Sequence, residues 1–399
     1  MGDTVGEQRV ILHIGLPKTG TSFVQSVLRD NADTLAGHGV RLPDVTRHQV
    51  FLGVLHVTDR VRSWGRSEQA AEQAWEQIVA GVRRRPGTVV LSSETLCLAS
   101  PDQVRRILAE LEGVRVDVVV SARDLARQLP AEWQESVKHG RRTSYPAFLR
   151  SVLGPVPDGP EEPDEPGEPV EPDEDDMVAG DRAGTGRTGR RFWRAQDLPA
   201  VLDRWATAVG VERVHVITCP PPGAPRDLLW RRFAEVAGLA GVPVTLPEAS
   251  VNHSLGRAQT EVLRRVNQRL VRREDVLGYG DVVKRLYAGT FLRGQGGAKV
   301  VLPPAYDERV RELGAAWRDE LAGRGYPVVG DLDELVPPPR AEDPGAQRPR
   351  TGELLEVSLD ATAELLTEVQ RLRRENSRLR EESERPRNRW SRRLGAGRR

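Results

Sequence analysis

The chain of 399 residues carries 59 Lys and Arg against 58 Asp and Glu, so its formal net charge at pH 7 is +1. This balance excludes a global electrostatic field that would attract a nucleic acid or an anionic membrane, and any such affinity would have to be local. The two cysteines, Cys97 and Cys219, exclude a disulfide framework and a metal cluster built from cysteines.

The N-terminal stretch MGDTVGEQR is polar, and the apolar run behind it is broken at His13 and Gly15. This segment is too short and too polar for a signal peptide, and no later segment reaches about 18 consecutive apolar residues. We therefore expect a cytoplasmic protein without a membrane span.

The section up to about residue 150 alternates strand and helix patterns. The segments RVILHIGL, GTVVLSSETL and VRVDVVVSARD are predicted strands, and helix-forming sequence follows each of them. Continuous apolar strands separated by helices are typical of a parallel sheet with helices on both faces. The pattern therefore predicts an α/β fold with a P-loop-type parallel sheet.

Composition divides the middle of the chain. Residues from about 154 to 190 are acidic and rich in proline and glycine, with almost no large apolar side chains, so we predict a disordered insertion there. Order resumes at FWRAQDLPAVLDRWATAVG, a predicted helix, and a further strand and helix follow. The insertion thus interrupts a single predicted domain over residues 9–336, and residues 337–352 are a predicted linker.

The C-terminal region is predicted to contain a helix over residues 353–384 and a basic, disordered tail over residues 385–399. The tail could contact anionic partners. Apolar residues and one asparagine follow a 4-3-4-3 spacing within the helix, which is a heptad seam: Leu365, Val369, Leu372, Asn376 and Leu379. So few heptads are compatible both with a short coiled coil that joins two copies of the chain and with a solitary charged helix.

The stretch VILHIGLPKTGTSFVQSVL joins a predicted strand to a predicted helix through a glycine-containing loop. Such units bind phosphate because backbone N–H groups and the helix N-terminus converge on the anion. An ATP or GTP loop follows G-x-x-x-x-G-K-[ST], with the lysine directly after the second glycine. Here Lys18 precedes Gly20 by two positions. The loop is expected to hold a phosphate compound other than the ATP or GTP that this pattern binds, and an ordinary tight turn is the alternative.

The segment LPKTGTS resembles the 5′-phosphosulfate loop of sulfotransferases that use 3′-phosphoadenosine 5′-phosphosulfate (PAPS), whose pattern is P-K-[ST]-G-T-[ST]. The resemblance implies that Lys18 contacts the bridging oxygen and stabilises the charge of the leaving group. It also implies that the following glycine and hydroxyl residues bind the 5′-phosphate. The predicted nucleotide-binding residues of the loop are Gly15, Pro17, Lys18, Thr19, Gly20, Thr21 and Ser22.

A second family motif, which binds the 3′-phosphate, is partly present. In the family a later buried strand ends in an arginine, and a serine follows eight residues on. The segment VDVVVSARDLARQLPAEWQ supplies Arg123 in this context, but Ala131 stands at the position of the serine. Arg127, one helical turn after Arg123, is the predicted replacement for the missing hydroxyl. The alternative for Arg123 is an ion pair with Asp124 or an exposed charge without a ligand.

A sulfuryl acceptor needs a general base close to Lys18. The resemblance implies a histidine or glutamate between the two nucleotide motifs, and Glu94 in VVLSSETL is the candidate, with Ser92 and Ser93 as orienting hydroxyls. Capping of the next helix or an ion pair is the alternative for Glu94. His13, inside the first strand, is predicted to be a core or substrate-facing residue.

The resemblance therefore implies a sulfotransferase that moves a sulfuryl group from PAPS to the hydroxyl or amine of a small-molecule or carbohydrate acceptor. Such an enzyme requires no metal, and we expect it to bind no specific nucleic acid. Two alternatives stay open. Ala131 leaves room for an inactive sulfotransferase-like binding protein that acts through its coiled-coil tail, and the missing G-K-[ST] disfavours a nucleotide kinase or NTPase.

Overall fold

The computed structural model describes residues 8–84, 86–155, 186–248, 254–270, 279–339 and 348–384. Most of the predicted insertion, residues 340–347 of the predicted linker and the whole predicted basic tail lie outside the described residues. The chain divides into two compact units, and the predicted domain over 9–336 contributes to both. The first unit takes described residues from Met1–Ser136, Thr143–Asn252 and Val300–Ala346, and the second from Val137–Arg142, His253–Lys299 and Gln347–Arg399.

Six strands of the first unit form one sheet, and every neighbouring pair is parallel. Their order across the sheet is β2-β3-β1-β4-β5-β6. The strands are β1 (Gln8–His13), β2 (Val40–Arg41), β3 (Gly87–Ser92), β4 (Arg115–Ala122), β5 (Val214–Thr218) and β6 (Val328–Val329). The structure thus confirms the predicted α/β fold with a parallel sheet.

The described α-helices alternate with these strands and then continue into the C-terminal part. They are α1 (Thr21–Asp30), α2 (Ala32–Gly37), α3 (Arg47–Val57), α4 (Glu68–Arg83), α5 (Pro101–Glu110), α6 (Leu125–Lys138), α7 (Tyr145–Leu153), α8 (Arg187–Gln196), α9 (Leu198–Val209), α10 (Leu228–Ala237), α11 (Arg257–Leu270), α12 (Asp307–Arg324) and α13 (Thr351–Glu384). A π-helical segment, Gly280–Leu292, lies between α11 and α12. Among the described helices, none is long and apolar enough to cross a membrane.

The continuous apolar character of β1 reflects burial on both faces of the sheet. Ile11 packs with residues of α1 and α10, including Val24 and Phe233, in one core cluster. Val10 and Leu12 point to the opposite face, because side chains alternate along a strand, and both are fully buried. On that face α4 contacts β1 and α9 contacts β4 and β5.

The winding of the sheet reverses between β1 and β4. The chain leaves β1 for β2 at one edge, returns through β3, and then crosses to β4 on the other side of β1. In open parallel sheets, ligands bind outside the carboxyl ends of the strands at such a reversal. The loop after β1 and the residues after β4 therefore lie at the expected position of a binding site.

The single helix predicted for FWRAQDLPAVLDRWATAVG is wrong, because the structure contains two helices there. Helix α8 begins at Arg187, within the predicted insertion, and α9 begins at Leu198. Pro199 cannot continue the ladder of helical hydrogen bonds, and the Asp197 side chain caps α9 by accepting from the Ala200 N–H at 3.4 Å. This break leaves Gln196 at the end of α8.

Candidate functional site

The loop between β1 and α1 has an unusual backbone conformation at two positions. Gly20 has a φ of 86°, which strains any residue with a side chain, and a Cβ there would lie 2.4 Å from Leu229 Cδ2, so the Leu229 side chain would have to move. Lys18 has a φ of 66° although it carries a side chain. Non-glycine residues in this left-handed region are uncommon and concentrate at functional sites. Thr19 closes the turn by donating from Oγ1 to the Leu16 carbonyl at 2.5 Å.

Buried polar side chains of three other elements hold this loop. Gln128 of α6 donates through Nε2 to the Pro17 carbonyl, and Gln196 at the end of α8 donates to the same oxygen at 3.3 Å. The Cys219 thiol, after β5, donates to the Thr19 carbonyl at 2.9 Å. Both glutamines are 1% exposed. The loop conformation is therefore fixed by the protein, and sequence reasoning missed all three contacts because their partners are distant in the chain.

Thr21, the first residue of α1, carries a buried hydroxyl without a partner in the described part of the chain. The residue is 4% exposed, and its Oγ1 has no hydrogen bond. An unsatisfied buried polar group costs about 1–3 kcal/mol. The next residue, Ser22, is exposed. A hydroxyl donor left free at a helix N-terminus suits an anionic ligand, because the helix dipole favours negative charge at that end.

The Lys18 ammonium forms an ion pair with a carboxylate of α6. Its Nζ donates to Glu135 Oε2 at 2.5 Å, and the two side chains are 30% and 23% exposed. An ion pair with this much access to water stabilises the fold by about 1 kcal/mol or less. An anionic ligand could therefore take the place of Glu135 beside Lys18 at a small cost.

Glu132, one turn before Glu135 on α6, faces the same region. Burial raises the pKa of this carboxyl to about 7, and Glu135 adds to the effect, while the nearby charges of Lys18 and Arg123 oppose it. Its Oε1 is buried and has no hydrogen-bond partner within the described residues. Glu132 thus lies within electrostatic reach of both cations and changes its charge near neutral pH. Sequence reasoning missed Glu132, because a glutamate within a helix gives no signal of burial.

Arg123 follows the end of β4 and is linked to the loop through Gln128. Its Nε donates to Gln128 Oε1 at 2.9 Å, its Nη2 donates to the Arg127 carbonyl at 2.9 Å, and burial lowers its pKa. Gln128 therefore joins Arg123 to the Pro17 carbonyl. The alternative partner of Arg123, Asp124, forms its ion pair with Arg127 instead.

The guanidinium of Arg127 is directed toward the end of β5. In addition to Asp124, it donates to the Pro220 carbonyl at 2.7 Å and to the Cys219 carbonyl at 3.3 Å. These contacts give Arg127 a structural role in joining α6 to the loop after β5. Because the Arg127 guanidinium is occupied by these acceptors, it is a poorer replacement for the missing serine than the sequence suggests. Ala131, which stands at the position of that serine, lies on α6 one residue before Glu132.

Glu94 lies beside the first glycine of the loop. A Cβ on Gly15 would be 3.4 Å from Glu94 Cβ, and Gln25 of α1 donates through Nε2 to Glu94 Oε2 at 3.4 Å. The same Gln25 nitrogen donates to the Ser92 carbonyl at 3.2 Å. The structure therefore brings Glu94 and the loop together, with Gln25 as the group that positions the carboxylate.

His13 joins the ends of the three central strands. Its Nδ1 lies 2.8 Å from Ser92 Oγ on β3, and its Nε2 lies 2.8 Å from Ser121 Oγ on β4. The side chain is fully buried, and burial lowers its pKa to about 3, so the imidazole is neutral at physiological pH. Of the two predicted roles, the geometry favours a core residue. The hydroxyl of Ser92, a predicted orienting group for Glu94, is hydrogen-bonded to His13.

Comparison with known family models, curated proteins and solved structures finds no match. Within the described residues, no group of three or more His, Cys, Asp or Glu side chains is arranged to hold a metal ion. The functional argument therefore depends on the geometry of the loop after β1, the residues after β4 and Glu94.

Proposed function

We propose that the protein is a sulfotransferase that transfers a sulfuryl group from PAPS to a hydroxyl or amine. The observation that carries the proposal is the loop after β1, at the reversal point of the sheet. There Lys18 is held in a left-handed conformation, and three residues further on, at the start of α1, the buried hydroxyl of Thr21 has no partner among the described residues. An ammonium, a free hydroxyl donor and a helix N-terminus together suit the phosphate of an anionic nucleotide.

The residues of the site divide into three roles in this proposal. Lys18 would stabilise the charge that develops on the leaving phosphate, and Thr21 and Ser22 would donate hydrogen bonds to that phosphate. Arg123 would bind the 3′-phosphate. PAPS supplies the sulfuryl group when bound. Glu94 would accept the proton of the acceptor as the new sulfur–oxygen or sulfur–nitrogen bond forms.

Two other functions remain alternatives. A nucleotide kinase or NTPase needs a lysine directly after the second glycine, and Thr21 occupies that position at the start of α1. An inactive binding protein keeps some support from Ala131, because the family hydroxyl is missing there. Turnover of PAPS in the presence of hydroxyl and amine acceptors is expected for a sulfotransferase. It is not expected for a nucleotide kinase or NTPase, nor for an inactive binding protein.

We expect Glu94→Gln to lower the rate of PAPS-dependent transfer by about 10²–10⁴-fold, the usual contribution of a general base, while nucleotide affinity stays near wild type. The reason is that a base acts on the acceptor and not on the nucleotide. Rate and affinity are measured on the same preparation. Glu112→Gln, an exposed glutamate before β4, is the matched control. Equal losses in rate and affinity would show that Glu94 is structural.

A nucleotide anion would also act on Glu132. Negative charge placed beside Lys18 and Arg123 raises the pKa of Glu132 further above its value of about 7, so binding takes up a proton. The carboxylate form repels the anion, and affinity should therefore fall as the pH rises through about 7, by up to about tenfold per pH unit for one coupled proton.

We expect Glu132→Gln to bind 3′-phosphoadenosine 5′-phosphate more tightly than the wild type above pH 7, with a flatter dependence on pH. Calorimetry in buffers of different ionisation enthalpy measures the proton uptake. Comparison with the unchanged chain cancels the titration of the ligand's own phosphates. Glu112→Gln, at an exposed glutamate before β4, is the control, because it leaves Glu132 and the charges around it unchanged. Identical pH profiles for wild type and Glu132→Gln would contradict the coupling.

A further inference from the structure

A single stripe of residues runs along α13, and only its first half is covered. In the second unit α13 contacts α11 and the segment Gly280–Leu292. Leu354, Val357 and Ala361 are buried there. The stripe continues, in steps of three or four residues, through Leu365, Val369, Leu372, Asn376 and Leu379. Among its apolar members the exposed fractions are 37%, 39%, 46% and 53%.

We propose that the second half of α13 forms a parallel, in-register, two-stranded coiled coil with a second copy of the chain. The spacing places Val369 and Asn376 at heptad positions a, and Leu365, Leu372 and Leu379 at positions d. A β-branched residue at a, combined with leucine at d, favours two parallel strands. The proposal is independent of the sulfotransferase activity.

Charges beside the seam select the parallel orientation. Glu368 and Glu375 occupy positions g, and Arg373 and Arg380 occupy positions e. In a parallel pair, position g of one helix lies next to position e of the following heptad on the other helix. Glu368 then meets Arg373 of the second copy, and Glu375 meets Arg380 of the second copy. An antiparallel pair would bring glutamate against glutamate and arginine against arginine.

Within one chain, the two glutamates pair with an arginine of their own helix. Arg371, at position c, donates to Glu368 at 2.7 Å and to Glu375 at 2.9 Å. Position c lies on the side of position g away from the seam, and such exposed pairs contribute little to stability, so the glutamates can exchange them for the interchain pairs at a small cost. Asn376 at position a fixes the register of the two helices, because the side-chain amides of two asparagines hydrogen-bond to each other only when they face across the seam.

The first test is the mass of the full chain in solution, measured by sedimentation over a range of concentrations. We expect the mass to rise with concentration toward twice the chain mass of 44.2 kDa. Leu372→Glu should remain at the mass of one chain, because it places a charge in the seam. Leu359→Glu is the matched control: it changes an exposed leucine of the same helix that lies off the stripe, and it should associate normally.

The second test concerns orientation. Asn376→Cys should form a disulfide-linked dimer under mild oxidation, because identical a positions face each other only in a parallel, in-register pair. Arg374→Cys, on the opposite side of the helix, should not, and the native Cys97 and Cys219 are buried. The proposal is overturned by a single-chain mass at every concentration, by association that Leu372→Glu leaves intact, by a higher oligomer, or by dimers that Asn376→Cys does not link.

Discussion

Lys18→Ala is expected to lower the rate of sulfuryl transfer by at least about 10²–10³-fold, the effect of removing one preorganised group that stabilises developing charge. The fold should remain intact. Lys18 contributes an ion pair that is partly open to water, and alanine meets the same steric cost as lysine at a φ of 66°. The measurements are PAPS turnover and the melting temperature of the variant.

Two further variants separate the charge of Lys18 from its contact with α6. Glu135→Ala breaks the same ion pair without removing the ammonium, so it should retain turnover. Lys18→Arg keeps the positive charge but replaces a compact ammonium with a planar fork, so it should recover little activity. A Lys18→Ala variant that keeps most of its turnover would show that Lys18 does not contact the transferring group.

Arg123→Ala is expected to weaken the binding of 3′-phosphoadenosine 5′-phosphate by about 10–150-fold, because a charge-assisted contact is worth about 1.5–3 kcal/mol. The analogue without the 3′-phosphate should be affected much less. Calorimetric titration with both ligands measures the difference. If Arg123→Ala weakened both ligands equally, Arg123 would not recognise the 3′-phosphate.

Two neighbouring positions provide controls for Arg123. Arg127→Ala removes bonds to Asp124 and to the Cys219 and Pro220 carbonyls, so it should lower the melting temperature without a preference between the two ligands. Ala131→Ser should tighten only the ligand with the 3′-phosphate, by up to about tenfold, as a neutral hydroxyl contact is worth about 0.5–1.5 kcal/mol.

The sheet could be predicted from the sequence because its signals are local. The strand β1 is apolar along its length, since both of its faces are buried, and glycine and hydroxyl residues follow directly where the strand ends. The proximity of Glu94 to Gly15 was also predictable in outline, because adjacent parallel strands end at the same edge of the sheet.

The remainder of the site depends on contacts between distant segments. Gln196 reaches the loop only because α8 ends before Pro199, a break that the predicted single helix did not contain. Glu132 looks like an ordinary helix residue in the sequence, and its displaced pKa results from burial that only the folded chain creates. Arg127 looked available for a ligand because its carbonyl acceptors follow β5, about ninety residues later.

The central claim is that the loop after β1 binds a nucleotide of the PAPS type, and calorimetry on the unchanged chain tests it most directly. The chain is titrated with 3′-phosphoadenosine 5′-phosphate and, separately, with ATP and magnesium. We predict sub-millimolar binding of 3′-phosphoadenosine 5′-phosphate and no comparable binding of ATP, because the loop lacks the lysine that follows the second glycine in ATP-binding loops. Magnesium-dependent ATP binding without binding of 3′-phosphoadenosine 5′-phosphate would contradict the proposed function.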